Sequence, residues 1–299
     1  MLKSIKNNRS YLKYEIFKIL NFNILKMVKI IYYYQTFCGL KDILHSNSKV
    51  THIHLSSVHF GKNDDATPYI HLNDNKPDSK CFDSVWKELT YAHNNGIKII
   101  LMLGGAGGAY SYLFSEFDTY YKLLKNMINQ YDVISGIDLD IEESVELTDV
   151  KKLINKIKDD FGQKFSISMA PLASSLANDE PGMGGFSYKD LYNSNEGKKI
   201  DYFNGQFYGD FSIETYTKII DNKYPASKIV MGMLSELCEG KNFNQSLQVV
   251  SKLKKIYQDF GGVFVWEYSD CPPDKKLHNK WSEEMANILD NNINHCIII

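Results

Sequence analysis

The sequence predicts an α/β protein, a (β/α)8 TIM barrel in which one closed parallel sheet is ringed by helices. Three observations predict it. Apolar, β-rich runs recur eight times along the chain, helix-like stretches separate them, and no linker or composition break divides the 299 residues. Near-continuous apolar strands alternating with helices indicate a parallel sheet covered on its outer face, and eight such units favour closure over an open sheet.

In chain order the strand-like runs are Lys29 to Phe37, His52 to Phe60, Ile97 to Gly105 and Val133 to Glu142, then Lys164 to Leu172, Asp201 to Gly209, Lys228 to Glu236 and Gly262 to Asp270. The stretch from Cys81 carries apolar residues at helical spacing and stops on Gly96; further helices are expected over Phe114 to Tyr131 and Asp149 to Phe161. The polar first half of the gap from Gly61 to Gly96 reads as a loop above the barrel mouth. Between the last two strands, Leu237 to Gly261 holds little more than one helix, so no α+β subdomain is inserted there. The missing insert points to an open, shallow groove. The domain reading is therefore a barrel over residues 27–299, preceded by a basic extension over residues 1–26 that is expected to be dispensable.

Composition narrows the function classes. The hydrophobic fraction is 43%, the charged fraction 23% and the formal net charge −2. That balance supports a sizeable core and gives no basic face for nucleic acid or anionic lipid. Neither nucleic acid nor a membrane is expected as a partner, and a monomer is. The apolar residues of the amino-terminal segment are broken by Lys and Asn, too polar for a signal h-region or a membrane span. An intracellular location is the default expectation. The five cysteines, Cys38, Cys81, Cys238, Cys271 and Cys296, form no CxxC, so neither a disulfide framework nor a zinc site is indicated. Most of the 20 Tyr, 16 Phe and 3 Trp are core filling, with a few left to stack on sugar faces.

The sharpest feature is the run Ser135-Gly136-Ile137-Asp138-Leu139-Asp140-Ile141-Glu142. Alternate side chains of a strand share a face, which puts Asp138, Asp140 and Glu142 together and the three aliphatics opposite. In a barrel the aliphatics pack on the helices and the acids point inward, roughly 6–7 Å apart along the strand. Like charges in low dielectric cannot all ionise, so protons are shared along the row and at least one carboxyl is pushed up, as a general acid near neutral pH requires. A solvated acidic edge strand does not explain the aliphatic set. A Mg²⁺ or Ca²⁺ site is the stronger rival, but barrel active sites sit at the carboxyl ends of strands.

These residues resemble the DGxDxDxE signature of family 18 glycoside hydrolases, the chitinases and their relatives. The resemblance implies that Glu142 is the proton donor, Asp140 positions the substrate's acetamido group and Asp138 lies behind it. Ser135 replaces the first signature Asp, which is expected to remove one member of the proton-sharing row. Leu101 to Gly108 is similar to the family's third-strand SxGG region, with Met102 where Ser is usual, and Ser168 to Leu172 to its fifth-strand segment. Gln206 to Gly209 is similar to the QFY variant of the sixth, Val265 to Asp270 to the last and the run through Tyr33 to the first. By that likeness Tyr208 holds the acetamido oxygen and Trp266 is the floor under the cleaved sugar. Gln206, Met169, Gly104, Gly105 and Tyr33 are the further substrate-binding candidates. Read alone, the glycines fit a tight turn or a phosphate loop, although no P-loop Lys follows. Tyr208 and Trp266 fit ordinary core aromatics, and His52, His54 and His59 fit structural roles, with three-His zinc the lesser reading.

The resemblance implies retaining, substrate-assisted hydrolysis of chitin or N-acetylglucosamine oligosaccharides, with no metal or organic cofactor. The 2-acetamido oxygen attacks its own anomeric carbon while Glu142 serves as acid and then base. The alternatives are an endo-β-N-acetylglucosaminidase acting on the N-glycan core, a sugar-binding lectin on the same barrel, and a barrel with a metal at the acidic row.

Overall fold

The computed structural model describes residues 28–46, 48–235 and 243–290. The extension over residues 1–26 lies outside them. Among the described residues the sheet has nine strands: β1 (Lys29–Tyr34), β2 (His52–Lys62), β3 (Pro68–Leu72), β4 (Lys98–Gly104), β5 (Ile134–Asp140), β6 (Ser166–Met169), β7 (Tyr202–Gln206), β8 (Ile229–Leu234) and β9 (Gly262–Trp266). Their order is β1-β9-β8-β7-β6-β5-β4-β2-β3, and a β1–β2 pairing closes the ring. The closed ring is parallel throughout; β3 alone runs antiparallel, against the far end of β2. All eight expected strands are present, which makes the fold a (β/α)8 barrel.

Main helices of the outer layer are α1 (Asp83–Asn94), α2 (Tyr110–Ser115), α3 (Phe117–Gln130), α4 (Leu147–Phe161), α5 (Tyr188–Asn193), α6 (Ile213–Asp221), α7 (Phe243–Ile256) and α8 (Asn279–Asp290). Helix α4 shows why they form: Val150, Leu153, Ile154 and Ile157 recur at helical spacing and are all buried. It stops at Gly162, whose φ of +81° suits glycine at the end of a helix. Among the described residues between β1 and β2 there is one short helical turn, Lys41–Leu44.

The alternation of each strand separates two apolar layers. Ile30, Tyr32 and Tyr34 join the large cluster between sheet and helices. Ile31 and Tyr33 face inward, with Met102, Tyr202, Val230 and Phe264, against which Tyr208 and Trp266 pack from the mouth.

The expected loop above the mouth is a hairpin instead. β2 outruns the barrel and pairs His59 with His71 and Gly61 with Tyr69. Val58, Phe60 and Leu72 on its other face are buried at 0%, 4% and 0% exposure, so period-two burial holds the added strand in place.

Candidate active site

Strand β5 delivers three carboxyl groups toward the mouth in graded exposure. Asp138 is fully buried, Asp140 is 5% exposed and Glu142, just past the strand end, is half-buried. Asp138 lies in a cradle drawn from across the barrel. The Tyr33 hydroxyl donates to Oδ2 at 2.7 Å, and the Ser168 hydroxyl to Oδ1 at 2.6 Å. The Asn204 amide donates both to Oδ1 at 3.2 Å and to the Tyr33 oxygen at 2.9 Å. His54 Nδ1 stands 3.3 Å from Oδ2, and its Nε2 is 3.2 Å from the Tyr202 hydroxyl.

Those partners set the electrostatics. Burial alone pushes the Asp138 carboxyl up, but the facing His54 ring and the bonds from Ser168 and Tyr33 outweigh it and hold it below its ordinary value. Asp140 goes the other way: burial first, then the charges of Glu142 and Asp138, raise it well above the carboxylate range. Glu142 is raised too, by burial, against a smaller opposing effect of the Gln206 amide. The row thus has a carboxyl held low at the bottom and two carboxyls shifted upward above it.

Ser135 needs a correction. Its hydroxyl bonds back to the Val133 carbonyl at 3.3 Å, and the ladder skips it, Ile134 pairing with Ile99 and Gly136 with Ile100, so it stands outside the run that carries Asp138 and Asp140. It was never a neighbour of the row, so its presence in place of Asp takes no carboxyl from it. Met102, where the resemblance leads one to look for Ser, packs in the inner apolar cluster beside Asp138 in register. The serine hydroxyl on Asp138 comes from Ser168 on the next strand.

The other predicted residues divide. Gln206 donates to Asp140 Oδ1 at 3.3 Å and to the Ala170 carbonyl at 2.8 Å, so it orients the acid row. Tyr208, partly buried, packs edge-on to Phe264 at 6.4 Å. Burial, then Asp140 and Glu142, push its phenol well up, which keeps it a hydrogen-bond donor facing the acids. Trp266 is half-exposed at the mouth and tilts over Tyr33 at 5.3 Å. Gly104 and Gly105 bring the chain against Asp140: a Cβ on Gly104 would meet its carbonyl at 2.3 Å, and one on Gly105 its Oδ2 at 3.5 Å.

Two of the substrate-binding expectations are corrected. Tyr33 is 2% exposed and its hydroxyl is committed to Asp138, so it supports the acid rather than lining the groove. Met169 is 0% exposed in the layer between sheet and helices; the alternation that turns Ser168 inward turns Met169 outward.

Sequence reasoning missed His54 as a partner of Asp138, and with it Ser168, Asn204 and Glu143. The Glu143 carboxylate accepts the backbone N–H groups of Ala109, Tyr110 (2.7 Å) and Ser111 (3.0 Å), tying the loop after β5 to the loop after β4. Burial would raise this group, but bonds from Ser111, Ala109 and Tyr110 hold it below its ordinary value. Glu267 likewise accepts Gln35 N–H (3.2 Å) and Thr36 N–H (3.3 Å), fastening the loop after β1 to that after β9. Among the described residues no group of three or more His, Cys, Asp or Glu is disposed to hold a metal ion, and no helix is long and apolar enough to cross a membrane.

Comparison with known proteins agrees with this geometry. The model of the family described as glycosyl hydrolases family 18 matches residues 29–256. The chain is 25% identical over 222 residues to Chitinase 1 of Rhizopus niveus and 25% identical over 212 residues to Chitinase 2 of Rhizopus oligosporus. These matches take in 66% and 63% of this chain but only 42% and 37% of those proteins. Among solved structures it superposes on a fungal endo-β-N-acetylglucosaminidase of family 18 with a TM-score of 0.80, 28% identity, and coverage of 89% of this chain and 99% of that one. A chitinase of Aspergillus fumigatus gives 0.77, 30% identity, and 83% and 94% coverage.

Proposed function

The chain belongs to family 18 of the glycosyl hydrolases, and on that footing we propose that it cleaves β-1,4 bonds between N-acetylglucosamine units with retention, Glu142 being acid and base. The observation that carries the reading is the unequal exposure of the two upper carboxyls. Glu142 is half-buried at the mouth and raised toward the protonated state, as a donor to the leaving oxygen requires. Asp140 is only 5% exposed, held by Gln206 and backed by Gly105. A carboxyl so enclosed and so far raised is a poor nucleophile, which supports a nucleophile that comes from the substrate itself.

In this mechanism the sugar sits on Trp266. The acetamido oxygen closes on the anomeric carbon while Glu142 protonates the leaving oxygen. Asp140 and the Tyr208 hydroxyl hold the acetamido group and stabilise the positive oxazolinium. Glu142 then takes a proton from water, which opens the ring. Neighbouring-group attack supplies a high effective molarity without a protein nucleophile. Proton NMR of the first product from a chitin tetramer tests it: the β anomer is expected, and the fully deacetylated oligomer should remain uncut. Initial α product, or cleavage of the deacetylated chain, rules substrate assistance out.

A second reading has its own support. The family 18 endo-β-N-acetylglucosaminidase is covered over 99% of its length, at a TM-score of 0.80. The same site would then act on the paired N-acetylglucosamines of an N-glycan core. A high-mannose glycopeptide assayed beside the tetramer separates the two.

A further inference from the structure

The hairpin formed by β2 and β3 is not used by this mechanism, yet it joins the acid row without a gap. Gly105 lies against Asp140 Oδ2. Two residues on, a Cβ at Gly107 would strike the His59 ring at 2.5 Å, and His59 Nδ1 is 3.0 Å from the Gly108 carbonyl. His59 pairs with His71, and His71 stacks on Tyr69 with ring centroids 4.0 Å apart and planes 20° off parallel. The Tyr69 ring reaches across to Gly61, where a Cβ would meet its oxygen at 2.3 Å. Both glycines leave room for a ring.

His59, Gly61, Tyr69 and His71 share the face of the hairpin opposite its buried residues, and the three side chains are half-exposed. Burial, with Lys76 and His59 nearby, lowers the His71 imidazole, so at neutral pH it is an uncharged ring suited to stacking. Continuity with the carboxylates, and aromatic faces held in place by two close glycine contacts, point to an occupant that already lies in the groove.

We propose that the Tyr69–His71 stack is a platform for a further pyranose ring of the same glycan chain, past the unit whose bond is cut. The proposal deepens the function given above and rests on it. Pyranose C–H groups pack on aromatic faces, and one such contact is worth roughly 2- to 12-fold in affinity.

The test compares a chitin hexamer with an N-acetylglucosamine dimer carrying a chromogenic leaving group, too short to extend past the acid row. In Tyr69→Leu, which keeps bulk but removes the ring, the ratio of hexamer to dimer kcat/KM should fall roughly 2- to 12-fold. In Tyr69→Phe it should stay near the parent value. Equal changes on both substrates, or none with Tyr69→Leu, overturn the platform and leave the hydrolase reading standing. If the parent cleaves neither substrate, hexamer binding to Glu142→Gln is measured by calorimetry with and without Tyr69→Leu. Weaker binding on loss of the ring then sustains the platform although the hydrolase reading has failed; undiminished binding, or none at all, overturns it.

Discussion

Replacing Tyr33 by Phe removes one oxygen and little else. The ring keeps its contacts with His54, Phe264 and Trp266 at 4.7, 5.1 and 5.3 Å, so no cavity opens. What is lost is a 2.7 Å bond to a fully buried, ionised carboxylate, and with it an acceptor for the Asn204 amide, which retains its bond to Asp138. A hydrogen bond to a charged group contributes about 1.5–3 kcal/mol, and urea unfolding at pH 7 should report a loss of that size. The sign with pH follows from the depressed Asp138 value. Its stabilisation is complete above the unfolded carboxylate value of about 3.9 and is lost as pH falls through the folded one. The penalty of Tyr33→Phe should therefore shrink below about pH 4. A penalty that does not shrink as pH falls through the folded Asp138 value would show that the hydroxyl does not support a charge.

The remaining expectations concern the row above. Glu142→Gln should lower hydrolysis of a chitin tetramer by at least roughly 10²–10⁴-fold while calorimetry still detects binding; near-normal turnover would remove Glu142 from its role. Asp140→Asn should also abolish turnover, yet gain thermal stability relative to the parent as pH rises. The raised Asp140 stabilises fully below its unfolded value and loses that contribution as pH climbs through its folded one. Melting curves at pH 4 and pH 8 that shift in parallel for both proteins would contradict this. Gly104→Ala forces a side chain onto a φ of +98° and against the Asp140 carbonyl; urea unfolding should show a cost of at least about 1–3 kcal/mol. Activity should survive a strong chelator, and a loss restored by Mg²⁺ or Ca²⁺ would favour a metal at the acids.

The strands were legible because burial on both faces leaves apolar runs, and β5 because its acids break such a run with period two. Helices with a single wet face, such as α4, were equally plain. Hairpin strand β3 was not: Pro68 to His71 are only half-buried, and the turn before them is polar, so the segment reads as loop. The cradle of Asp138 was hidden for a different reason. Tyr33 is 105 residues from it, Asn204 66 and Ser168 30, and only ring closure makes them neighbours. Nothing in the local pattern around His54 distinguishes it from a core histidine until Asp138 is placed beside it. The Ser135 expectation failed because that residue is skipped by the ladder and its hydroxyl bonds back to the Val133 carbonyl, which no letter of the signature reveals.

That cradle also bears on how such a barrel can change over time. Four strands besides β5 contribute to one carboxylate, so a single substitution at Asp138, Tyr33, Ser168 or Asn204 removes one side of a bond and leaves a buried polar atom behind. Each position taken alone will look intolerant in a saturation scan, whereas an apolar replacement of the whole set avoids those orphaned groups. The route from one sugar preference to another therefore runs through the rim, where loops and the hairpin can vary one residue at a time. Libraries aimed at new specificity belong there, and libraries aimed at the interior must vary these strands together.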